Sequence, residues 1–287
     1  MIDVIIPAYN CTATLDRTLG SLVAHFNKNF KVTIVDDCST EDIKSIIDKY
    51  THLLNIKYVR NEKNMRCGMS RQVGIDNSEG EYFTFLDSDD TFMPFTISVF
   101  YENIERYPEI DIFNSYFYST DKNDKVSLIK HGITWCHGRL YKRSFIEKYG
   151  IRNNPKVKYG DDSYFNSMCD TLNTKGFMTI PIPMMVWINN NNSITRKIDG
   201  EFQKDALSDF IFAMNDSIKF LKKYVSVKEM KFISGTVKNI LKNYIQLMES
   251  KGKDEEKQKV KMELKEMRNL IVDIISPDDF NKIFNLK

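Results

Sequence analysis

Apolar residues in the first ninety positions come in short unbroken runs that alternate with runs at helical spacing. Val4-Ile5-Ile6 reads as a buried strand closed by Pro7, and Leu15, Leu19, Leu22, Val23 and Phe26 fall on one face of a helix over 12–26. A second strand, Lys31 to Val35, ends in Asp36-Asp37, and Ser39-Thr40-Glu41-Asp42 starts a helix with Ile43, Ile46 and Ile47 turned inward. Ile56–Arg60 is a third strand, Met69–Asn77 a helix, and Gly80 precedes a fourth strand, Glu81–Leu86. Strand–helix alternation of this kind predicts an α/β fold with a mainly parallel sheet flanked by helices. Ligands of such sheets bind beyond the carboxyl ends of the strands. Pro7-Ala8-Tyr9, Asp36-Asp37 and Asp87-Ser88-Asp89 all stand at such ends.

The middle of the chain is more mixed, with a helix over Thr96–Tyr107, a strand over Ile110–Tyr118 and a loop at Asp121–Asp124. After residue 200 the texture turns helical. Leu207, Phe210, Ile211, Met214, Ile218 and Leu221 form one apolar stripe; Ile233, Val237, Ile240, Leu241, Tyr244 and Met248 form a second. Val260, Leu264, Met267, Ile271 and Ile274 form a third, after the polar run ESKGKDEEKQK. The expected organisation is a domain over 1–200, with halves 1–95 and 96–200, followed by a C-terminal helical appendage over 201–287.

Composition narrows the class. The chain has 287 residues and a formal net charge of +2, which gives no overall electrostatic footprint for nucleic acid. Its 28% charged and 42% apolar residues suit a soluble globular protein. No apolar run approaches the roughly 20 residues of a membrane helix, and MIDVIIPAYN lacks the basic and cleavable segments of a signal peptide. Five scattered cysteines make no CxxC pair, so neither a zinc site nor a disulfide framework is expected, and a reducing cytoplasm is the simplest location.

The sharpest chemical feature is FLDSDD, where a strand ends in Asp87, Asp89 and Asp90 with only Ser88 between them. Clustered carboxylates repel one another, and a hard divalent ion such as Mg²⁺ or Mn²⁺ relieves this with oxygen ligands. Together with VIIPAYN at 4–10, VTIVDDCST at 32–40, NMRCGMSRQVGIDNSEGEYFTFLDSDD at 64–90 and YGDDSYF at 159–165, this run resembles the family 2 glycosyltransferases of the GT-A (nucleotide-diphospho-sugar transferase) fold. The resemblance covers about residues 1–200.

The resemblance implies a site. Pro7, Ala8 and Tyr9 would surround the nucleotide base, with the Tyr9 ring stacked on it, and Asp37 would accept from uracil. Arg71 would bind the diphosphate. Asp87 and Ser88 would contact the donor, Asp89 would ligate Mn²⁺ or Mg²⁺ directly, and Asp87 would meet the ribose or the ion. Asp162, beside Asp161, takes the place of the catalytic base for a single displacement with inversion. Plainer readings stand beside these. Asp36 and Asp37 are also suited to capping a helix, Asp161-Asp162 to an N-cap pair, Arg71 to a salt bridge and Asp90 to a local cap. On the acceptor side, the segment ITWCHGRLYKRSFIEKYG offers Trp135 and His137, with Asp161, although a tryptophan is by default core and a histidine a structural polar group. Two departures are visible. Asn190 stands where many members carry a histidine able to reach the metal, and the QxxRW signature of processive members is absent.

The implied activity is transfer of a sugar from a nucleotide-sugar donor, a UDP-sugar, to a glycan or lipid-linked acceptor in surface polysaccharide assembly. Lysines crowd residues 219–242, as a solvated face or a peripheral membrane contact, and the C-terminal apolar stripes cover the catalytic domain or form a homodimer. A nucleotidylyltransferase would need a glycine-rich loop after the first strand, which IPAYNCTATL lacks. A non-catalytic sugar-nucleotide or glycan-binding protein on the same fold is the alternative from another class.

Overall fold

The computed structural model describes residues 1–130, 135–190, 206–251 and 253–285. Within them the chain forms two compact units, Met1–Pro155 with Asn173–Asn190, and Lys156–Leu172 with Asn191–Lys287.

The first unit is built on one sheet. Its strands are β1 (Ile2–Ala8), β2 (Phe30–Asp36), β3 (Ile56–Arg60), β4 (Tyr82–Phe85), β5 (Thr91–Phe92), β6 (Ile112–Thr120), β7 (Val126–Ile129), β8 (Arg139–Lys142) and β9 (Met178–Trp187). Their spatial order is β3-β2-β1-β4-β8-β6-β9-β5, with β7 paired to β6. Strands β1 to β4 pair parallel, as the alternating pattern predicts. Beyond β4 the sheet becomes mixed: β8 runs antiparallel to both β4 and β6, while β6 and β9 pair parallel. The four-residue β8 spans only two periods of alternation, too few to announce a strand.

Every residue of β1 is buried, so its near-continuous apolar run is that of a central strand covered on both faces. It continues through Pro7 rather than stopping there. Ile5 accepts from Leu86 on the β4 side and Ala8 from Asp37 on the β2 side. By alternation, the missing Pro7 N–H faces β4, whose pairing has ended at Ile5, so no ladder bond is lost.

Helices α1 (Leu15–Val23), α2 (Lys44–Asp48), α3 (Arg66–Asp76), α4 (Thr96–Arg106) and α5 (Arg143–Tyr149) belong to this unit. Helix α3 starts three residues before the predicted Met69 and lies close over β1. A Cβ on Gly74 would clash with Ile5 Cγ2, so only glycine permits that approach. Helix α1 ends at Val23, short of the predicted Phe26, which is left 89% exposed. His25 takes the inner position instead, edge-on to Phe30 and Phe92.

Burial pushes the His25 imidazole down to about 4; a Pro94 carbonyl opposes this and Lys28 reinforces it. The native state thus favours neutral His25, and its contribution is complete above the unfolded value near 6.5. As pH falls from there towards 4, stability is lost on the order of 3 kcal/mol. Urea unfolding at pH 7 and pH 4.5 is expected to show this loss, and His25→Leu to flatten it relative to the wild type.

The second unit contains α6 (Asp161–Leu172), α7 (Leu207–Leu221), α8 (Phe232–Glu249), α9 (Asp254–Leu270) and α10 (Pro277–Phe284). The boundary expected at 200 is therefore not where the chain divides: α6 groups with the C-terminal helices. Its buried face, Tyr164, Phe165, Met168, Cys169 and Leu172, is too apolar to stand alone, and the Tyr164 hydroxyl donates to Asp216 of α7 at 2.8 Å. The three stripes largely bury within this unit. Ile274 lies beyond the end of α9 and is 43% exposed, while Phe280 and Phe284 of the unpredicted α10 are buried. That helix opens on Ser276, whose hydroxyl accepts from the Asp279 N–H, followed by Pro277.

Candidate functional site

The carboxyl ends of β1, β2 and β4 share one edge of the sheet, and each delivers a polar loop there. After β1, Tyr9 is 48% exposed, an open ring at the strand tip. Asn10 adopts a positive φ of 46°, and its side-chain oxygen accepts from the Thr40 N–H at 2.8 Å, which fixes this turn to the loop after β2.

The two aspartates after β2 are both buried but differ in partners. Asp36 accepts from Tyr58 at 2.7 Å and from the Ser39 N–H at 2.8 Å, and pairs with Arg60. Burial acts to raise its pKa, but Tyr58, Ser39 and Arg60 together hold the carboxyl below its ordinary value. Asp37 accepts from Asn61 and the Met65 N–H at one oxygen and the Arg66 N–H at the other, at 2.7–2.8 Å. Neither caps the helix directly after it. Asp37 instead organises the turn entering α3, a contact across β3 that local sequence does not reveal.

The acid loop 87–90 is gripped through its backbone. Thr14 and Thr18 donate to the Ser88 carbonyl, Thr18 also to Asp90, and Arg17 to Asp89. These residues, Thr14 at the start of α1 and Arg17 and Thr18 within it, were not singled out from sequence; their spacing around one helix turn was the available sign. With the backbone carbonyls turned to α1, three carboxylates remain to be compensated.

Arg71 of α3 is 5% exposed and donates to Asp87 Oδ1 at 2.8 Å, so its salt bridge is buried within the acid cluster rather than on the surface. Burial acts against the Asp87 carboxylate, but Arg71 and then His137 hold its pKa below the usual range. Asp89 is raised by burial and by the charge of Asp87, against a hydrogen bond from Asn190. That bond, Asn190 Nδ2 to Asp89 Oδ2, is 3.0 Å, so Asn190 does reach the acid loop. Asp90 is no local cap: its Oδ1 accepts from the Ile188 N–H at the end of β9, and burial pushes its pKa up to about 6 despite the neighbouring His137.

His137 stands beside the acids, its Nε2 3.8 Å from Asp87 and 3.6 Å from Asp90. Its ring stacks on Phe117 and leans on Trp187, which in turn contacts Trp135. Gly138 follows with φ +67°, and a Cβ there would collide with Ser115, so the turn that aims His137 needs glycine. Trp187 was not singled out from sequence. Asp161 and Asp162 open α6 in the second unit, inside its first turn rather than before it, where a helix N-terminus favours negative charge.

The donor set suits a divalent ion. Asp89 and Asp90 are both raised by burial among like charges, and the buried Asp90 Oδ2 has only His137 Nε2, at 3.6 Å, facing it among the described residues. A cation would relieve both conditions.

Parallel strands ending in carboxylates and an exposed ring, extended by an antiparallel strand into a mixed sheet, define a GT-A fold. Staphylococcus aureus TarS residues 1–349, solved with UDP-GlcNAc, has the same fold at a TM-score of 0.78 and 17% identity, over 99% of this chain and 90% of that one. The mannosyltransferase PcManGT of Pyrobaculum calidifontis, solved with GDP-Man and Mn²⁺, matches at a TM-score of 0.54 and 12% identity, over 95% of this chain and 87% of that one. The family model for glycosyl transferase family 2 matches residues 3–169, and the chain belongs to that family. An uncharacterized glycosyltransferase of Haemophilus influenzae is 37% identical over 111 residues, 39% of this chain and 37% of that protein. The poly(ribitol-phosphate) beta-N-acetylglucosaminyltransferase TarS of S. aureus is 41% identical over 91 residues, 31% of this chain and 16% of its own length. The chain thus matches well under two thirds of the length of these relatives. Among the described residues no helix is long and apolar enough to cross a membrane.

Proposed function

We propose that this chain transfers a sugar, with inversion, from a UDP-sugar to a hydroxyl of a glycan or lipid-linked acceptor in surface polysaccharide assembly. The observation that carries the reading is the acid loop Asp87-Ser88-Asp89 at the tip of β4, beside the exposed Tyr9 ring at the tip of β1. Family membership and the nucleotide-sugars named with the neighbouring structures support it.

In this reading Tyr9 stacks on the base, Pro7 and Ala8 shape its floor, and Asp37 accepts from uracil while it holds the α3 turn. Arg71 offsets Asp87, and its guanidinium stands close to the donor phosphates. Asp89, with Asp87, would hold Mn²⁺ or Mg²⁺. When bound, such an ion neutralises charge on the leaving diphosphate. Asp162 accepts the proton of the acceptor hydroxyl as that oxygen bonds to the anomeric carbon; the carbon–phosphate-oxygen bond breaks and UDP leaves. Trp135 and Asp161 are assigned to the acceptor side.

Calorimetric titration with UDP and with GDP, each with and without Mn²⁺, tests the donor assignment. Mn²⁺-dependent binding of UDP alone is the expected result. Binding of neither nucleotide would remove it and favour a non-catalytic glycan-binding role on the same fold.

We further propose a cytoplasmic location with peripheral membrane contact. Lys222, Lys223, Lys228, Lys231, Lys238 and Lys242 are exposed, whereas Lys219 is committed to Glu266. Anionic lipid attracts each such lysine by about 1 kcal/mol. Flotation with anionic liposomes is expected to carry the protein at low salt and release it at high salt; no flotation at low salt would refute the contact.

A further inference from the structure

We propose that Thr18 of α1 is a positioning residue for the acid turn, whose hydroxyl holds the backbone from which Asp87 and Asp89 reach the donor. This role rests on the donor reading above.

The buried residues of α1 are Leu15, Thr18, Leu19 and Leu22, and Thr18 alone among them is polar. A valine or leucine there would continue the apolar stripe. A hydroxyl at a fully buried position is costly unless it is hydrogen-bonded. Its partners belong to the acid turn. Thr18 Oγ1 lies 3.0 Å from the Ser88 carbonyl and 2.8 Å from the Asp90 carbonyl, and its single proton is shared between them. Thr14, one helix turn earlier, donates to the same Ser88 carbonyl at 2.9 Å, and Arg17 donates to the Asp89 carbonyl at 2.7 Å. Three successive carbonyls are thus bonded to one helix, while the turn closes through the Asp90 N–H and the Asp87 carbonyl at 3.0 Å.

This grip has work to do. Asp89 and Asp90 are raised by burial and by neighbouring acids, so the ion-free turn carries repulsion that opening would relieve. The α1 donors oppose that opening before any ligand arrives, and a turn already in its binding shape costs less to order when the donor binds. Thr18 is the one of the three that is buried, and the one that spans the turn from residue 88 to residue 90. Ser21, further along α1, provides the contrast. Its hydroxyl accepts from the Phe92 N–H at 3.2 Å and donates to the Thr18 carbonyl at 2.7 Å, so it ties α1 to β5 without a bond to residues 87–90.

The test titrates UDP with Mn²⁺ into the full chain as wild type, Thr18→Val, Thr18→Ser and Ser21→Ala. Valine keeps the shape of threonine without the hydroxyl, and serine keeps the hydroxyl. Affinity is expected to fall about tenfold in Thr18→Val and to stay near native in the other two. Hydrogen exchange over residues 86–92 in the nucleotide-free protein is a readout independent of UDP. It is expected to be about tenfold faster in Thr18→Val and to return towards native in Thr18→Ser. Should Thr18→Val not fold, Thr14→Val, which removes a half-buried donor to the same Ser88 carbonyl, is expected to move both readouts in the same direction. A wild type that does not bind UDP would refute the donor reading and, with it, the role of the turn. Native UDP affinity in Thr18→Val, an equal loss in Ser21→Ala, or unchanged exchange would overturn the role of Thr18 alone.

Discussion

Asp162→Asn is expected to keep donor affinity while kcat falls by roughly 10²–10⁴-fold, the usual contribution of a general base. Asparagine has the shape of aspartate but no basic oxygen to take the acceptor proton. The residue lies in the first turn of α6, so the change also removes a favourable charge from a helix N-terminus. That costs about 0.3–1 kcal/mol of stability, too little to abolish folding. Steady-state kinetics beside UDP calorimetry separates the effects: native turnover would mean that another group is the base, and lost UDP binding that Asp162 serves the donor or the fold.

Asp89→Asn should weaken Mn²⁺-dependent UDP binding at least about tenfold, as expected on loss of a direct metal ligand. The same change should stabilise the ion-free protein at neutral pH. Burial and the Asp87 charge raise the Asp89 pKa, so its carboxylate form is disfavoured in the folded state. A raised acid contributes stability that is present at low pH and lost as pH rises through the unfolded value towards the folded one. Removing the charge removes that loss. Thermal unfolding without metal is therefore expected to show a higher Tm, opposite in sign to the effect on binding, as functional groups under strain often do. Unchanged UDP affinity with Mn²⁺ would place the nucleotide-linked ion elsewhere, and a lowered Tm would show that Asp89 is structural.

Local patterning carried the reading of the site to different depths at different residues. Asp87, Ser88 and Asp89 were legible because an apolar strand ended in acids, and Tyr9 because it followed a buried strand. The role of Asp37 at the turn into α3 was not, since its three donors lie on residues 61–66, across β3. Arg71 was found as a cation, but its pairing with Asp87 depends on how α3 crosses the sheet. Asp90 was read as a local cap, and His137 as an acceptor-side residue or a structural polar group; only the antiparallel insertion of β8 between β4 and β6 brings the histidine to the acids.

By itself the sequence determined the parallel half of the sheet and the residue types at its edge. Both rest on periodicities of two to four residues and on the residue types at strand ends, which neighbouring side chains alone dictate. The tertiary structure decided the mixed half, the grouping of α6 with the C-terminal helices and the convergence of Asp87, Asp90 and His137. These depend on pairing between segments far apart in the chain. A four-residue strand or a single histidine has no period of its own, and its place is set by the free energy of closing the sheet around it.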